Sequence, residues 1–386
     1  MNSSFDQTTV ILSLLTSSLA LGACGELDPE TIAVTYDENS AHPDMDRYIG
    51  GNLNALRVPG IAAISVQGGQ VAYEGYFGFA NMDTGEEVDA DSLFYLASVS
   101  KIFVAAAVML QVEAETMALD QVVSELVEFP VAHPDAADTS ITVHHLLTHT
   151  SGIEDNWDVM EPLIVEGDSP VSLGEFLNRY LTPGADYYSA TANFGGTPGE
   201  MFEYTNAGIS LAAFAAGEAY GSDFSTLCED EIFAEFDMPS AGWNLASVDI
   251  DALTWPHLLQ NGEYDPIPHY GYPDYPDGGL RVTALDLADF LIAHTGENTL
   301  LSQPTLDEMF RLHVPSADAD QALVWARYPD MGASVFGHDG GDDGISTLVV
   351  LDREAGDAAI LLMNGDWYAD ALVEEMAGNL LRMQVP

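Results

Sequence analysis

The sequence predicts an α+β fold (an α/β sandwich): an antiparallel sheet flanked by helices, built from N- and C-terminal segments, with an inserted all-helical lobe. Three observations carry this. Two β-like runs, IAAISV and QVAYEGYFGF, follow Gly60 and are separated by Gly68-Gly69, a hairpin signal. After Ser98 the apolar period becomes helical. Near the C-terminus strand-like runs return as GASVF, ISTLVVL and AAILLMN. Strands at both ends with helices between them imply one sheet assembled from distant segments.

In chain order, the helical candidates are the stretch from Ser98 to about Val112, LDQVVSELV, VHHLLTH, SLGEFLNRYL, NAGISLAAFAAGEAYG and TALDLADFLIAH. ISTLVVL and AAILLMN are joined by a turn around Arg353-Glu354-Ala355-Gly356, and ADALVEEMAGNLLRM forms a closing helix. The segment from Tyr264 to Tyr275 reads as an ordered loop, its tyrosines at 264, 270, 272 and 275 lining a cleft mouth. No internal repeat is apparent.

The 386 residues include 62 acidic and 9 basic side chains, a formal net charge of −53. With 47% hydrophobic residues the chain can fill a sizeable core, which excludes a disordered acidic tail. The charge argues against nucleic acid or an anionic membrane surface as partner, because both require basic patches. It fits a saline environment, where hydrated carboxylates keep a protein soluble. Arginine occurs eight times and lysine once, at Lys101.

The apolar stretch from Val10 to Leu21 is too short to span a bilayer, which takes about 20 residues. It fits the apolar core of a secretory signal, although Asp6 stands in a leader without Lys or Arg. Leu21-Gly22-Ala23-Cys24 resembles a bacterial lipobox, which implies export and lipidation at Cys24. The expected organisation is a signal peptide over 1–23, an acidic tether over 24–44 and a catalytic domain over 45–386. Membrane contact is expected only through that lipid, at the periplasmic face or the cell surface. The second cysteine, Cys228, sits in a helical pattern and reads as a small buried apolar residue.

The single lysine lies in Leu96-Ala97-Ser98-Val99-Ser100-Lys101. Ser98 and Lys101 are three apart, so at a helix N-terminus they share a face. There the unpaired N–H groups and the helix dipole favour developing negative charge. A serine hydroxyl is a weak nucleophile until a neighbour takes its proton, which a desolvated lysine can do. Ser100 is out of register and reads as a packing or capping residue. His144 and His145 are adjacent and cannot share one metal. The string from Asp339 to Gly344, aligned as an EF-hand loop, puts Gly341 at the third position and Val350 at the twelfth, so it lacks two ligands. No metal and no cofactor is expected.

Further motifs follow in order: Pro198-Gly199-Glu200 leading into Tyr204-Thr205-Asn206, then Gly337-His338-Asp339-Gly340-Gly341. With the run from Ile141 to Gly152 and with Asp277-Gly278-Gly279-Leu280, these resemble the serine β-lactamase superfamily over roughly residues 45–385. The nearer likeness is to its class C-like branch of D-Ala-D-Ala carboxypeptidases, D-aminopeptidases and family VIII-type esterases. The resemblance implies a β-lactamase/transpeptidase-like fold. It also implies that Ser98 is the acylated nucleophile, Lys101 its proton-handling partner and Tyr204 a proton shuttle. Asn206, His338, Gly340 and Gly341 would bind substrate, with the backbone N–H groups of Ser98 and Gly341 as oxyanion donors. His149, Thr150 and Ser151 read as scaffold turn residues.

Many relatives place a lysine where this chain has His338. A neutral histidine beside Asp339, Asp342 and Asp343 disfavours a carboxylate-bearing substrate. The expectation is a serine hydrolase acting through an acyl-enzyme on a small ester, amide or peptide, as an esterase or a D-amino-acid peptidase-like enzyme. The alternatives are a β-lactamase or D-Ala-D-Ala carboxypeptidase, and a non-catalytic penicillin-binding-like surface lipoprotein.

Overall fold

Seven antiparallel strands form the sheet that frames the molecule. The computed structural model describes residues 31–385, apart from 38, 137, 296–299 and 368. The segment read as a signal peptide, the lipobox-like run and Cys24 lie outside the described residues. The strands are β1 (Gly60–Gln67), β2 (Gln70–Asn81), β3 (Glu86–Glu87), β4 (Ala326–Arg327), β5 (Val335–Asp342), β6 (Ile345–Asp352) and β7 (Asp357–Met363). Their order across the sheet is β4-β5-β6-β7-β1-β2-β3, so β1 pairs with β7 from the other end of the chain. Gly68 and Gly69 turn the β1–β2 hairpin with φ of 56° and 75°, a left-handed pair that glycine adopts without strain.

Both faces of the sheet are covered, and the two-residue period of each strand divides the side chains between two cores. Ile61, Ala63, Leu348, Val350, Leu361 and Met363 face one core. There they meet helix α1 (Pro43–Gly51) through Ile49 and the C-terminal helix through Val373, Met376 and Leu380. Ala62, Ile64, Val349, Leu351, Ile360 and Leu362 face the other core, shared with the inserted lobe. The segment read as a tether is already docked at Ile32, which is buried and bracketed by Asn54: Ile32 N donates to Asn54 Oδ1 at 2.8 Å, and Asn54 Nδ2 to Ile32 O at 3.0 Å.

At the centre of the lobe lies α2 (Lys101–Glu113), with residues 102–109 wholly buried. It packs on α3 (Asn206–Tyr220), which is also apolar around its whole circumference. Helix α4 (Ala284–Ile292) packs on the sheet at β1 and β7, and its Phe290 ring stacks on Phe103 of α2 at 3.7 Å. The closing helix, α5, runs Asp370–Leu381.

Two expectations change. LDQVVSELV forms only a single 3-10 turn, Val123–Glu125. Its backbone is engaged by a neighbouring segment: Val123 N donates to Ile141 O at 3.0 Å and Val143 N to Gln121 O at 3.1 Å, so the extended β-branched Val122 bridges Thr142. GASVF supplies only its last two residues to β5, and the strand continues through the whole Gly337–Gly341 motif. Cys228 is buried, as its apolar setting suggested, and burial pushes its thiol far above the ordinary range.

Candidate active site

Three segments far apart in sequence meet at Ser98. The first is the nucleophile turn itself, a 3-10 turn over Ala97–Ser100 that leads directly into α2. Ala97 has φ of 45°, a left-handed conformation that costs an alanine energy and persists where surrounding structure enforces it. The enforcement is visible. Leu96 N donates to Leu280 O at 2.9 Å, Leu280 N donates to Ser100 Oγ at 3.1 Å, and Thr347 Oγ1 donates to Leu96 O at 2.7 Å. Ser100 therefore ties the nucleophile turn to the Asp277–Leu280 loop. Lys101 is 1% exposed, and its Nζ donates to Ser98 Oγ at 2.9 Å and to Asp277 O at 2.7 Å.

The second segment carries Tyr204, whose ring lies 5.0 Å from Lys101 Nζ. Tyr204 leads into α3, and the scaffold that holds it is the run from Thr148 to Asp155. His149 stacks on Tyr204 at 4.4 Å, accepts from Thr205 N through Nδ1 at 3.2 Å, and accepts from Glu203 N through its carbonyl at 2.8 Å. Asp155 caps α3, accepting from Thr205 Oγ1 and from the N–H groups of Asn206 and Ala207 at 2.9–3.1 Å. His144 instead meets His313, Nε2 to Nδ1 at 3.1 Å, and His145 folds back to accept from Thr142 N at 3.3 Å.

The third segment is β5. Gly340 is buried against the nucleophile turn, and a Cβ there would lie 2.4 Å from Thr347 Oγ1, 2.6 Å from Leu96 O and 2.9 Å from Ser98 N. Its role is close approach of two backbones, and it does not line the cleft. Gly341 does line it, with open space beside its Cα. His338 is buried behind, its ring 6.2 Å from that of Tyr204.

The cleft at Ser98 has a volume of about 80 Å³ and is lined by Asn206, Gly341, Trp157, Tyr272 and the carboxyl residues Asp274, Asp277 and Asp342. The other tyrosines expected at its mouth lie elsewhere. Tyr264 packs in the α1/α5 core, Tyr270 stacks on Tyr95 at 5.6 Å, and Tyr275 lines a separate cavity of about 420 Å³ that borders Tyr272 from behind.

Charge sets the resting protonation. Burial pulls the Lys101 ammonium down, but the facing Tyr204 oxygen and the Asp277 and Asp155 carboxyls outweigh it and hold it above the ordinary lysine range. Burial also raises Tyr204, against the pull of Lys101, so the phenol keeps its proton. Tyr204 Oη makes no hydrogen bond within 3.5 Å, yet lies close enough to Lys101 and Ser98 to feel both. His338 is lowered by burial, and hence neutral at pH 7. Burial lifts Asp274 to about 7 and Asp342 to about 6.

A model of the Beta-lactamase family matches residues 45–379. The chain belongs to that family. Esterase EstB of Burkholderia gladioli is 38% identical over 128 residues, 33% of this chain and 32% of that protein. Penicillin-binding protein 4 of Amycolatopsis lactamdurans is 25% identical over 86% of this chain and 90% of its own length. Among solved structures, an octameric penicillin-binding protein homologue from Pyrococcus abyssi superposes with a TM-score of 0.74 at 24% identity, covering 88% of this chain and 76% of that one. The family membership makes this chain a serine hydrolase in the serine β-lactamase superfamily.

Within the family frame, the expected Ser98, Lys101, Tyr204, Asn206, His338 and Gly341 converge on one place. Asp155, Ala97 and the Asp277 carbonyl were not legible from the motifs. Gly340→Ala is expected to lower kcat/KM about tenfold or more while the fold is kept, because its Cβ displaces Ser98 and widens a critical geometry. Steady-state kinetics beside far-ultraviolet circular dichroism will check this; unchanged activity would remove Gly340 from the site.

Proposed function

We propose that Ser98 is the nucleophile of an acyl-enzyme mechanism, and that the chain is an esterase or D-amino-acid peptidase-like hydrolase. The observation that carries the reading is the buried Lys101 ammonium bonded to Ser98 Oγ at 2.9 Å, beneath the Tyr204 ring. Once Lys101 or Tyr204 has given up its own proton to solvent, Ser98 Oγ would attack the acyl carbon and pass its proton to that group. Tyr204 would return a proton to the leaving group, and water would then release the acyl group. Ser98 and Gly341, both on the cleft wall, supply the backbone N–H groups for the oxyanion. His338, neutral and buried behind the cleft, offers a carboxylate-bearing substrate such as a β-lactam no cation, and the cleft wall carries three carboxyl groups, so such substrates are disfavoured.

A short-chain nitrophenyl ester should be turned over faster than nitrocefin, and Ser98→Ala should abolish both; faster nitrocefin turnover would sink the substrate assignment. The rival reading, a non-catalytic penicillin-binding-like protein, predicts Ser98-dependent labelling by fluorescent penicillin with no ester turnover.

Because both Lys101 and Tyr204 hold their protons at neutrality, kcat/KM should climb through the alkaline range as one of them becomes a base. A plateau already at neutral pH would contradict that protonation state. The protein's negative field also holds Lys101 in its ammonium form and leaves less free amine at a given pH, so activity should rise with ionic strength as screening shortens to about 3 Å at 1 M salt. A flat or falling salt profile in folded enzyme would remove this link.

Export, with lipid on Cys24, rests on the leader. Radiolabelled palmitate should enter the wild-type protein in a bacterial host and not Cys24→Ala; no label in either would exclude the lipoprotein reading.

A further inference from the structure

The carboxyl groups in and behind the cleft are not equivalent. Asp155 is satisfied by the start of α3, and Asp342 Oδ1 accepts from Asp343 N at 2.9 Å. Asp277 is 6% exposed, lines the cleft, and its Oδ1 is buried without a hydrogen-bond partner. A buried acceptor left open costs free energy that a ligand can recover. The Lys101 ammonium does not fill the gap: its two hydrogen bonds go to Ser98 Oγ and to the Asp277 main-chain oxygen, and none reaches Asp277 Oδ1. Apolar surface lies beside this acceptor: Trp157 and Ile164 line the same cleft and are each 40% exposed.

We infer that this cleft selects substrates carrying an ammonium group on an apolar body, with the Asp277 carboxylate receiving the ammonium N–H and Trp157 flanking it. The inference rests on the hydrolase reading and specifies its substrate class: amine-bearing esters or amides, in place of neutral or acidic ones. An ammonium close to the face of an indole gains further attraction from the ring quadrupole.

The groups facing Asp277 are Asp274 from its own loop, Lys101 from α2, Asp155 from the scaffold run and Asp342 from β5, with Tyr272 also beside it. Burial and the neighbouring Asp274 carboxyl raise Asp277 well above the ordinary carboxylate range, and Asp274 itself is raised to about 7. The pair therefore holds a proton at neutrality. An arriving ammonium replaces that proton as the pair's positive charge: the carboxyl O–H gives its proton to solvent, and the carboxylate accepts the ammonium N–H.

Calorimetric titration of wild type with phenethylamine, and with its neutral isostere phenethyl alcohol, tests the inference without turnover. The amine should bind one site about tenfold or more tightly than the alcohol. Titration in buffers of different ionisation heat should show net proton release near neutral pH. The preference should persist at 1 M salt and collapse toward parity in Asp277→Asn. Equal binding of amine and alcohol would overturn the inference, as would multi-site binding lost in salt, which would mark mere attraction to an acidic surface. If Asp277→Asn does not fold, the wild-type comparison and the proton count decide alone. Hydrolysis of p-nitrophenyl butyrate by wild type but not Ser98→Ala reports on the hydrolase reading separately. Amine preference without turnover would sink that reading and keep the inference; turnover without amine preference would do the reverse.

Discussion

The hydrogen bonds from Lys101 Nζ to Ser98 Oγ and to the Asp277 carbonyl hold the site together, and they place the chain's only lysine in a position almost free of water. A buried cation is costly unless it is bonded and electrically balanced. Here both conditions are met: two oxygens take its protons, and Asp155, Asp274, Asp277 and Asp342 surround it with carboxyl groups. The balance runs in both directions. The carboxyls keep the lysine charged, while burial and mutual repulsion keep several of them from ionising fully. One cation among four acids cannot satisfy them all as anions, and the shortfall sits in the cleft where a substrate arrives.

That arrangement depends on the sheet for its accuracy. β5 brings the buried Gly340 onto Leu96 O and Ser98 N, so the strand and the nucleophile turn are as close as two backbones allow. The turn is then pinned on other sides by Leu280, Ser100 and Thr347, which together hold Ala97 in a left-handed conformation. The lobe contributes Tyr204 from the opposite direction, located by the His149 stack and the Asp155 cap. Each element is ordinary in itself; the chemistry lies in the register between them. Family membership fits this view, since a shared frame with different cleft side chains can serve esterases and penicillin-binding proteins alike.

Much of this was legible in the sequence because it rests on short-range rules. The glycine pair of the β1–β2 hairpin, the two-residue alternation of the strands and the largely apolar α2 and α3 each follow from local pattern. The serine–lysine spacing and the ordered motifs at Tyr204 and His338 marked the site. What escaped had long-range causes. LDQVVSELV has a helical pattern, but its backbone donors are taken by the Ile141–Val143 segment. Asp155 caps a helix that starts 51 residues later, a partnership no spacing rule discloses. Tyr264, Tyr270 and Tyr275 lie close to Tyr272 in sequence, yet the loop turns them toward separate cores.

The sequence by itself determined the architecture, the nucleophile candidate and the sign of the electrostatic field, because periodicity, motif order and charge are properties of the linear chain. Tertiary structure alone decided which carboxyls face Lys101, that Gly340 serves close approach while Gly341 lines the cleft, and that Asp277 Oδ1 is left open. The reason is physical. Burial, hydrogen-bond satisfaction and charge coupling depend on distances between segments far apart in the chain, 251 residues in the Thr347–Leu96 bond, and folding sets those distances.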